Sequence, residues 1–447
     1  MKTPTSRKRQ PSSVRHTRAI QRDRTHRLPS APPADHVVAR LQDLVQPATF
    51  AQVAAFQAAG LRQRILTLPV MVAFVLSLIW RQLGSVREAV RCLNQEGLLW
   101  TSPTPVSFQA AEERLRTLPP HLFKGVLDEI LPQLHARAAA RARRVAPVLV
   151  WAARHFSGVV SVDGSTRDGL LRQAGLLRAG AGPVLAGRMA GVLDVATCLP
   201  QHLWYEPDSS AHDQRFWPRI RAALTPGLLV LIDLGFWNYA HFDELATAEI
   251  WFLSRVKQNC AYRLVRVLHR SATVRESLIY LGREARPTDT RMRLVEILVG
   301  PRWVRYVTNV LEPAALPAAY MPLLYAERWR IEDAFKLVKR LLGLAYFWSG
   351  AGNAIQTQVW ASWLLYGVLI DLTDEVAAHS RRPLGAVSVE MVFRALYHYT
   401  QAVQKQPGWD LVSYLVDKAA ELDLFKARWQ PPSPLPEEED ALPILRC

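Results

Sequence analysis

The stretch LLVLIDLGF, residues 228–236, places five apolar residues in a row before an acid and a glycine-containing turn. A short unbroken apolar run of this kind is typical of a buried strand. A second run, residues 159–162, leads to Asp163 and Gly164. Ligands of α/β proteins gather at the carboxyl ends of strands, so we expect Asp163 and Asp233 to face one rim. Taken singly, each also fits a capping or turn aspartate.

From about residue 145 the pattern mixes short β-type runs with helical stretches. This predicts an α/β fold with a partly parallel and partly antiparallel sheet. The predicted strands are 147–151, 159–162, 184–195, 199–204, 228–232 and 250–253, with helices at 210–224 and 238–248. Four further β-type runs have no good helix among them, at 262–268, 277–281, 292–299 and 303–310. We expect them to form a β-rich insertion, at about 258–311, that is not part of the main sheet.

Helical periods dominate on both sides of this region. Residues 37–145 predict a helical domain, and residues 348–429 predict a second helical region. A long helix is predicted from Pro322 to about Leu342, with Gly343 as its stop. The longest apolar run, residues 65–80, is too short to span a bilayer and predicts a buried helix of a soluble domain. Residues 1–36 predict a basic flexible arm, and residues 430–447 predict a disordered tail.

The charge balance indicates a polyanionic partner. The 447 residues include 55 Lys and Arg against 39 Asp and Glu, a formal net charge of +16. The four cysteines form no Cys-x2-Cys pair, so we expect neither a zinc ribbon nor a disulfide framework, and we expect a cytoplasmic location. The sequence also lacks the P-loop, zinc-protease and nucleophile-elbow patterns.

Four polar residues recur along the predicted helix at 322–342. At about 100° per residue, Tyr325, Arg328, Glu332 and Lys339 fall within about 60° of one another, beside an apolar stripe that would dock the helix on the sheet. A surface Arg328–Glu332 pair, worth a few tenths of a kcal/mol, is the simpler explanation for a generic helix. It leaves the tyrosine and the lysine unexplained.

These residues resemble the DDE transposases of bacterial insertion sequences, and more narrowly insertion-sequence family four, with its signature Y-x2-R-x3-E-x6-K. The helix matches that spacing without a gap. Asp163 lies in a Val-Asp-Gly-Ser context and Asp233 in an Asp-x-Gly-Phe context. The likeness extends over about residues 40–425. One departure is Leu234, where such proteins often have an arginine.

The resemblance implies a ribonuclease H-like catalytic core, at about 146–347, that excises and inserts DNA. It implies two Mg²⁺ ions, replaceable by Mn²⁺, with Asp163 bridging both ions while Asp233 and Glu332 each hold one. Tyr325, Arg328 and Lys339 would then grip phosphates of the transposon end.

The resemblance also implies partners and one further DNA contact. The protein would bind terminal inverted repeats through its N-terminal helical domain and pair as a homodimer through the C-terminal helical region. Trp303 would stack on a flipped base, although packing within a hairpin is the simpler explanation. A hairpin at the transposon end is expected of relatives with this helix signature.

Other assignments stay open at this point. A transposase-derived DNA-binding protein without activity, and a ribonuclease H-like nuclease, would share the charge and the fold. His212 and Asp213 are best explained as caps of the helix that follows. The arginine-rich stretch 137–144 fits either the solvated face of a helix or part of a DNA path.

Overall fold

The computed structural model describes residues 35–164, 187–208, 211–257, 259–283, 287–342 and 347–427. The predicted basic arm, apart from its last two residues, the predicted C-terminal tail and Gly343 lie outside these ranges.

The chain is helical from its first described residue to the start of the sheet. The helices are α1 (Asp35–Ala51), α2 (Val53–Ala58), α3 (Leu68–Trp80), α4 (Val86–Gln95), α5 (Phe108–Thr117), α6 (His121–Ala140) and α7 (Pro147–His155). Helix α3 holds most of the apolar run 65–80 and is almost wholly buried. Within the described ranges, no helix is long and apolar enough to cross a membrane.

The predicted strand at 147–151 is wrong, because these residues form the first half of α7. Pro147 stands in the first turn, where a missing N–H costs nothing. Val148, Leu149 and Ala152 then fall on one helical face and are buried against the sheet. A five-residue apolar run does not distinguish a buried strand from one side of a short helix.

The strands of the described residues form one nine-stranded sheet in the order β3-β2-β1-β4-β5-β9-β8-β7-β6. Strand β1 pairs antiparallel with β2 and parallel with β4, and β4 pairs parallel with β5. The strands are β1 (Gly158–Gly164), β2 (Arg188–Asp194), β3 (Pro200–Glu206), β4 (Leu228–Ile232), β5 (Trp251–Arg255), β6 (Tyr262–Arg270), β7 (Val274–Leu281), β8 (Met292–Val299) and β9 (Arg302–Thr308). The partly parallel, partly antiparallel sheet is as predicted.

The expectation that the four runs after residue 258 stand apart from the main sheet is wrong. Strand β9 pairs antiparallel with β5, with Leu253 opposite Thr308 and Arg255 opposite Tyr306. Strands β8, β7 and β6 continue outward from β9 as antiparallel neighbours. Strand β5 is the last strand of the parallel core, and its outer edge would have unpaired backbone groups without a further neighbour. Strand β9 pairs along this edge and satisfies those hydrogen bonds.

Helices cover both faces of the parallel part of the sheet. Helices α8 (Trp217–Ala223) and α9 (Tyr239–Thr247) pack on one face against residues such as Val160, Val230 and Phe252. On the other face, α7 and α10 (Met321–Ala326) pack against Leu229, Leu231 and Leu253. Buried on both sides, strands β1 and β4 therefore read as continuous apolar runs.

The C-terminal helices pack with the N-terminal ones. They are α11 (Trp329–Arg340), α12 (Gly352–His379), α13 (Val389–Lys405) and α14 (Leu411–Asp417). Helix α12 is buried along nearly its whole length, and one hydrophobic core joins it to α1, α3, α5, α6, α11 and the face of β2. The two helical regions predicted from sequence therefore meet in a single helical body.

An ionic cluster fastens this body together. Asp371 on α12 is fully buried and receives Arg40 from α1 at 2.8 Å and Arg141, just after α6, at 2.6 Å. Asp374, one turn later, pairs with Arg141 and Arg143 at 3.2 and 3.1 Å. The stretch 137–144 is therefore not a fully solvated face, since Arg141 and Arg143 are engaged inside the protein, while Arg137 and Arg144 are exposed.

We expect Asp371→Asn to lower the free energy of unfolding by about 2–4 kcal/mol, because Arg40 and Arg141 lose their fully buried partner and keep only Asp374 and Glu375. Chemical denaturation measures the change. Glu113→Gln is the matched control: it removes the exposed partner of Arg116 and should cost less than about 1 kcal/mol. Equal effects of the two substitutions would contradict this explanation.

Candidate active site

The two predicted aspartates lie at the same edge of the sheet. Asp163 is the penultimate residue of β1, and Asp233 directly follows β4. Because β1 and β4 are parallel neighbours in register, their carboxyl ends meet there. Asp233 also caps the short 3-10 turn Leu234–Phe236, where its Oδ2 accepts a hydrogen bond from the Gly235 amide at 3.1 Å. Asp233 therefore both caps this turn and lies on the rim of the sheet.

Glu332 reaches the rim from the first turn of α11. The long helix predicted for 322–342 is interrupted: α10 ends at Ala326 and α11 begins at Trp329. Across the junction, the amides of Glu327, Arg328 and Arg330 bond to carbonyls three residues earlier instead of four. Ser161 of β1 also donates its hydroxyl to the carbonyl of Arg328 at 3.1 Å. This bond ties the junction to the strand that ends in Asp163.

Arg328 lies among the three carboxylates. Its Nη2 is 2.7 Å from Oε1 of Glu332, and its Nη1 is 3.3 Å from Oδ1 of Asp233 and 3.7 Å from Oδ2 of Asp163. The guanidinium side chain is 5% exposed. The sequence-based alternative of a simple surface pair is therefore wrong, because Arg328 is buried and faces three acids.

The electrostatics of the rim reflect burial first and neighbouring negative charge second. Burial, followed by the charge of Asp233, raises the pKa of Asp163 from its ordinary value to about 7, although the Gly164 amide and Arg328 act in the opposite direction. Burial alone would lower the pKa of Arg328, but attraction to Asp233 and Glu332 raises it. One guanidinium therefore compensates three carboxylates only in part.

Tyr325 and Lys339 flank the cluster. Tyr325 is buried and donates its hydroxyl to the carbonyl of Ile232 at 3.4 Å, and Ser254 donates to the same carbonyl at 3.0 Å. The bonds hold the end of β4 just before Asp233. Burial lowers the pKa of Lys339 to about 8, with Asp163 raising it and Arg188 lowering it. Lys339 is therefore electrostatically coupled to the rim, and contact of both residues with DNA stays a prediction.

Trp303 lies on β9, two strands along the sheet from β4. It is half-buried on β9 with the guanidinium of Arg275 4.2 Å from its ring centroid, which agrees with packing between strands. Arg255, the last residue of β5, pairs with Tyr306. Trp303 is three residues farther, so it projects about 10 Å beyond the carboxyl end of β5. That is the edge where Asp163 and Asp233 lie.

Sequence reasoning missed three features of this rim. The sequence shows Ser161 only as a polar residue inside an apolar run, which does not indicate its bond to Arg328. Trp329 is 53% exposed, with Arg328 4.9 Å from its ring centroid, and it was hidden between the spaced residues of the helix signature. Asp213 was assigned to capping, but His212 is the residue that caps, and Asp213 pairs with Arg188.

The part of the chain that contains Asp233 and Glu332 is similar to known proteins. The family described as the transposase DDE domain matches residues 188–367 of the chain. The match includes Asp233 and Glu332 and begins after Asp163.

Two curated relatives are transposases by name. The chain is 26% identical over 194 residues to "Putative transposase y4zB" of Sinorhizobium fredii (strain NBRC 101917 / NGR234), covering 38% of this chain and 52% of that protein. It is 26% identical over 172 residues to "Probable transposase for insertion sequence element IS5377" of Geobacillus stearothermophilus, covering 37% and 45%. The chain thus spans about half the length of the curated relatives it matches.

Among solved structures, the chain aligns with the piggyBac transposase in a synaptic complex with hairpin DNA. The TM-score is 0.43 at 10% identity, over 90% of this chain and 86% of that one.

We expect Asp163 to destabilise the metal-free protein at neutral pH. Its folded-state pKa, about 7, is above its ordinary value of 3.8, so the stability it contributes is complete below about pH 4 and is lost as pH rises through 7. The loss is on the order of a few kcal/mol, at about 1.4 kcal/mol per pKa unit. Asp163→Asn should therefore be more stable than the parent at pH 8 with EDTA, and this advantage should shrink at pH 5.

Denaturation at the two pH values measures this difference. Asp333→Asn, which changes an exposed acid on the same helix as Glu332, is the control and should follow the parent at both pH values. An Asp163→Asn protein no more stable than the parent at pH 8 would show that the rim is not crowded with negative charge.

Proposed function

We propose that this chain is a DNA transposase of an insertion sequence, with an active site formed by Asp163, Asp233 and Glu332. The observation that carries the proposal is the convergence of these three carboxylates, from two strand ends and one helix, on a single guanidinium. They are 70 and 99 residues apart in sequence, so the fold alone brings them together. The transposase DDE domain match and the two transposase relatives support it.

The finer assignment is to insertion-sequence family four, with a ribonuclease H-like core. In its support, an antiparallel set of strands, β3-β2-β1, continues into parallel β4 and β5, and the acids lie at the carboxyl ends of β1 and β4. The Y-x2-R-x3-E-x6-K residues all border the same rim or the strand end that carries it. This core would occupy residues 146–347, with the outer strands as the extension before the glutamate helix.

The donor set suits a hard divalent cation. Three carboxylates offer only oxygen ligands, the kind that Mg²⁺ and Mn²⁺ prefer. Within the described ranges, no group of three or more His, Cys, Asp and Glu is arranged to hold a metal, and Arg328 lies between these three. Nε and Nη1 of Arg328 have no hydrogen-bond partner there, which makes this arrangement costly for a buried guanidinium. We propose that divalent ions take its place among the carboxylates.

The site residues would then have three roles: holding the ions, binding a DNA phosphate and holding the end of β4. Asp163, Asp233 and Glu332 would hold the ions, which supply Lewis-acid stabilisation of the attacking and leaving oxygens of a phosphodiester. Arg328, once released, would bind a DNA phosphate with its planar fork, and Lys339 would add a point charge beside Asp163. Tyr325 would hold the end of β4, and its phenol remains protonated because burial raises its pKa to about 12.

The flanking parts would bind and pair the DNA ends. We assign repeat binding to residues 37–145, pairing of two copies to residues 348–429, and nonspecific phosphate contact to the basic arm at 1–36, with 430–447 as a tail. Since α12 is buried, a contact between copies would use the outer faces of α13 and α14. Trp303 and the exposed Trp329 are candidates for base stacking. Because such an enzyme acts on chromosomal DNA, we assign it to the bacterial cytoplasm, at the nucleoid.

The direct test is cleavage of a duplex bearing the inverted repeats that flank the gene, with Mg²⁺ or Mn²⁺. We expect the parent to cut at the repeat boundary. Asp163→Asn and Glu332→Gln should bind the duplex but cut at least ~100-fold more slowly, because each removes charge at the reacting phosphate. Glu249→Gln, an exposed acid at the amino end of β5 on the opposite edge of the sheet, is the control and should cut like the parent.

Joining of the 3′-hydroxyl end to a target would separate a transposase from a nuclease on the same fold. A parent protein that binds the repeats and cuts with neither metal would contradict the proposed activity.

If divalent ions replace Arg328 among the three carboxylates, the ions and the guanidinium compete for the same site. Arg328→Met should bind Mn²⁺ at least ~10-fold more tightly than the parent in the absence of DNA, since a charge within about 4 Å contributes a few kcal/mol at a partly buried site. Isothermal titration calorimetry measures the affinity. Arg340→Met, at the exposed end of the same helix, is the control. Weaker Mn²⁺ binding by Arg328→Met than by the parent would rule out competition.

A further inference from the structure

A fourth carboxylate, Asp213, lies between the end of β1, which carries Asp163, and the 3-10 turn that follows Asp233. It opens the short 3-10 turn Asp213–Phe216 before α8. A Cβ built at Gly164, next to Asp163, would lie 2.4 Å from Oδ1 of Asp213. A Cβ built at Gly235, two residues after Asp233, would lie 3.4 Å from Oδ2 of Asp213 and 3.5 Å from Oδ2 of Asp233. One carboxyl group thus lies against both the end of β1 and the turn after β4.

Asp213 accounts for the glycine at position 164, which the three acids alone do not explain. Gly164 and Gly235 both have negative φ, so neither is required by backbone conformation. At position 164, an added Cβ would force the Asp213 carboxylate to move, because real Cβ atoms essentially never approach another heavy atom to 2.4 Å. The glycine after the first aspartate therefore makes room for the carboxylate of Asp213.

Asp213 is held firmly in this place. Nη2 of Arg188 is 2.5 Å from its Oδ1, and Nη1 of the same guanidinium donates to the carbonyl of Ala211. Arg188 begins β2, the antiparallel neighbour of β1, and is itself buried. The next residue, Gln214, donates its side-chain amide to the carbonyl of Gly235 at 2.9 Å. The segment 213–214 therefore bonds to both β2 and the turn after β4.

We propose that Asp213 is a positioning residue for the active site: it spaces the end of β1 from the turn after β4, so that Asp163 and Asp233 can share the divalent ions. The inference rests on the proposed function and adds a residue to it. Asp213 acts through the end of β1 and the turn after β4, and it binds no ion itself. Residues that orient metal ligands in this way typically change metal affinity by 10- to 100-fold when they are replaced.

The test is Mn²⁺ binding to the DNA-free protein by calorimetry, together with denaturation in EDTA. Asp213→Ala should weaken Mn²⁺ binding about 10-fold or more. Gly164→Ala should do the same with Asp213 present, because the new methyl group displaces its carboxylate. The double variant should bind no more weakly than Asp213→Ala alone, since the methyl group then meets no carboxylate and the two effects are not additive.

Two further variants complete the design. Asp213→Asn keeps the shape of the side chain, so it should fold and lose less affinity than Asp213→Ala. Asp208→Asn, an acid in an exposed pair with Arg215, is the control and should bind Mn²⁺ like the parent.

Three results would overturn the inference while leaving the proposed function intact. Loss of stability in Asp213→Ala with parental Mn²⁺ affinity would reduce Asp213 to a counter-ion for Arg188. Loss of Mn²⁺ binding as complete as in Asp163→Ala would make it a ligand. Additive losses in the double variant would show that Gly164 and Asp213 do not act together. A parent protein that binds no divalent cation would instead contradict the proposed function itself, and this inference with it.

Discussion

The rest of this structure depends on the repulsion among three carboxylates at one edge of a sheet. A parallel pair of strands brings Asp163 and Asp233 side by side, and a helix adds Glu332. Such a group is stable only with a cation inside it, and Arg328 supplies one positive charge from a buried position. Burial, and after it the charge of Asp233, still raises the pKa of Asp163 although Arg328 lowers it. The proposal of a divalent-cation site rests on this arrangement.

Much of the surrounding architecture serves to hold the rim. Ser161 fixes the junction between α10 and α11, and Tyr325 and Ser254 fix the carbonyl of Ile232. Helix α11 is packed in turn against α12, which shares its core with the N-terminal helices. The buried Asp371 cluster clamps α12 to α1 and α6. The glutamate helix is therefore supported by a body formed from both ends of the chain.

The sequence predicted the parts of this site that follow a local pattern. The apolar runs ending in Asp163 and Asp233 indicated strand ends, and the spacing of Tyr325, Arg328, Glu332 and Lys339 indicated a shared side of a helix. Features set by contacts between distant residues were not predictable. The partnership of Asp213 with Arg188 and Gly164, the break at Arg328, and the pairing of β9 with β5 all depend on which elements become neighbours. The run 147–151 was misassigned because five apolar residues suit a strand and a short helix equally.

The central claim is that divalent ions and the guanidinium of Arg328 compete for the same three carboxylates. Anomalous scattering from crystals of the DNA-free protein grown with Mn²⁺ tests this most directly. The account predicts Mn²⁺ peaks within coordination distance of Asp163, Asp233 and Glu332, with Arg328 moved out of the cluster. Crystals with Mn²⁺ bound elsewhere, and Arg328 still among the three acids, would contradict it.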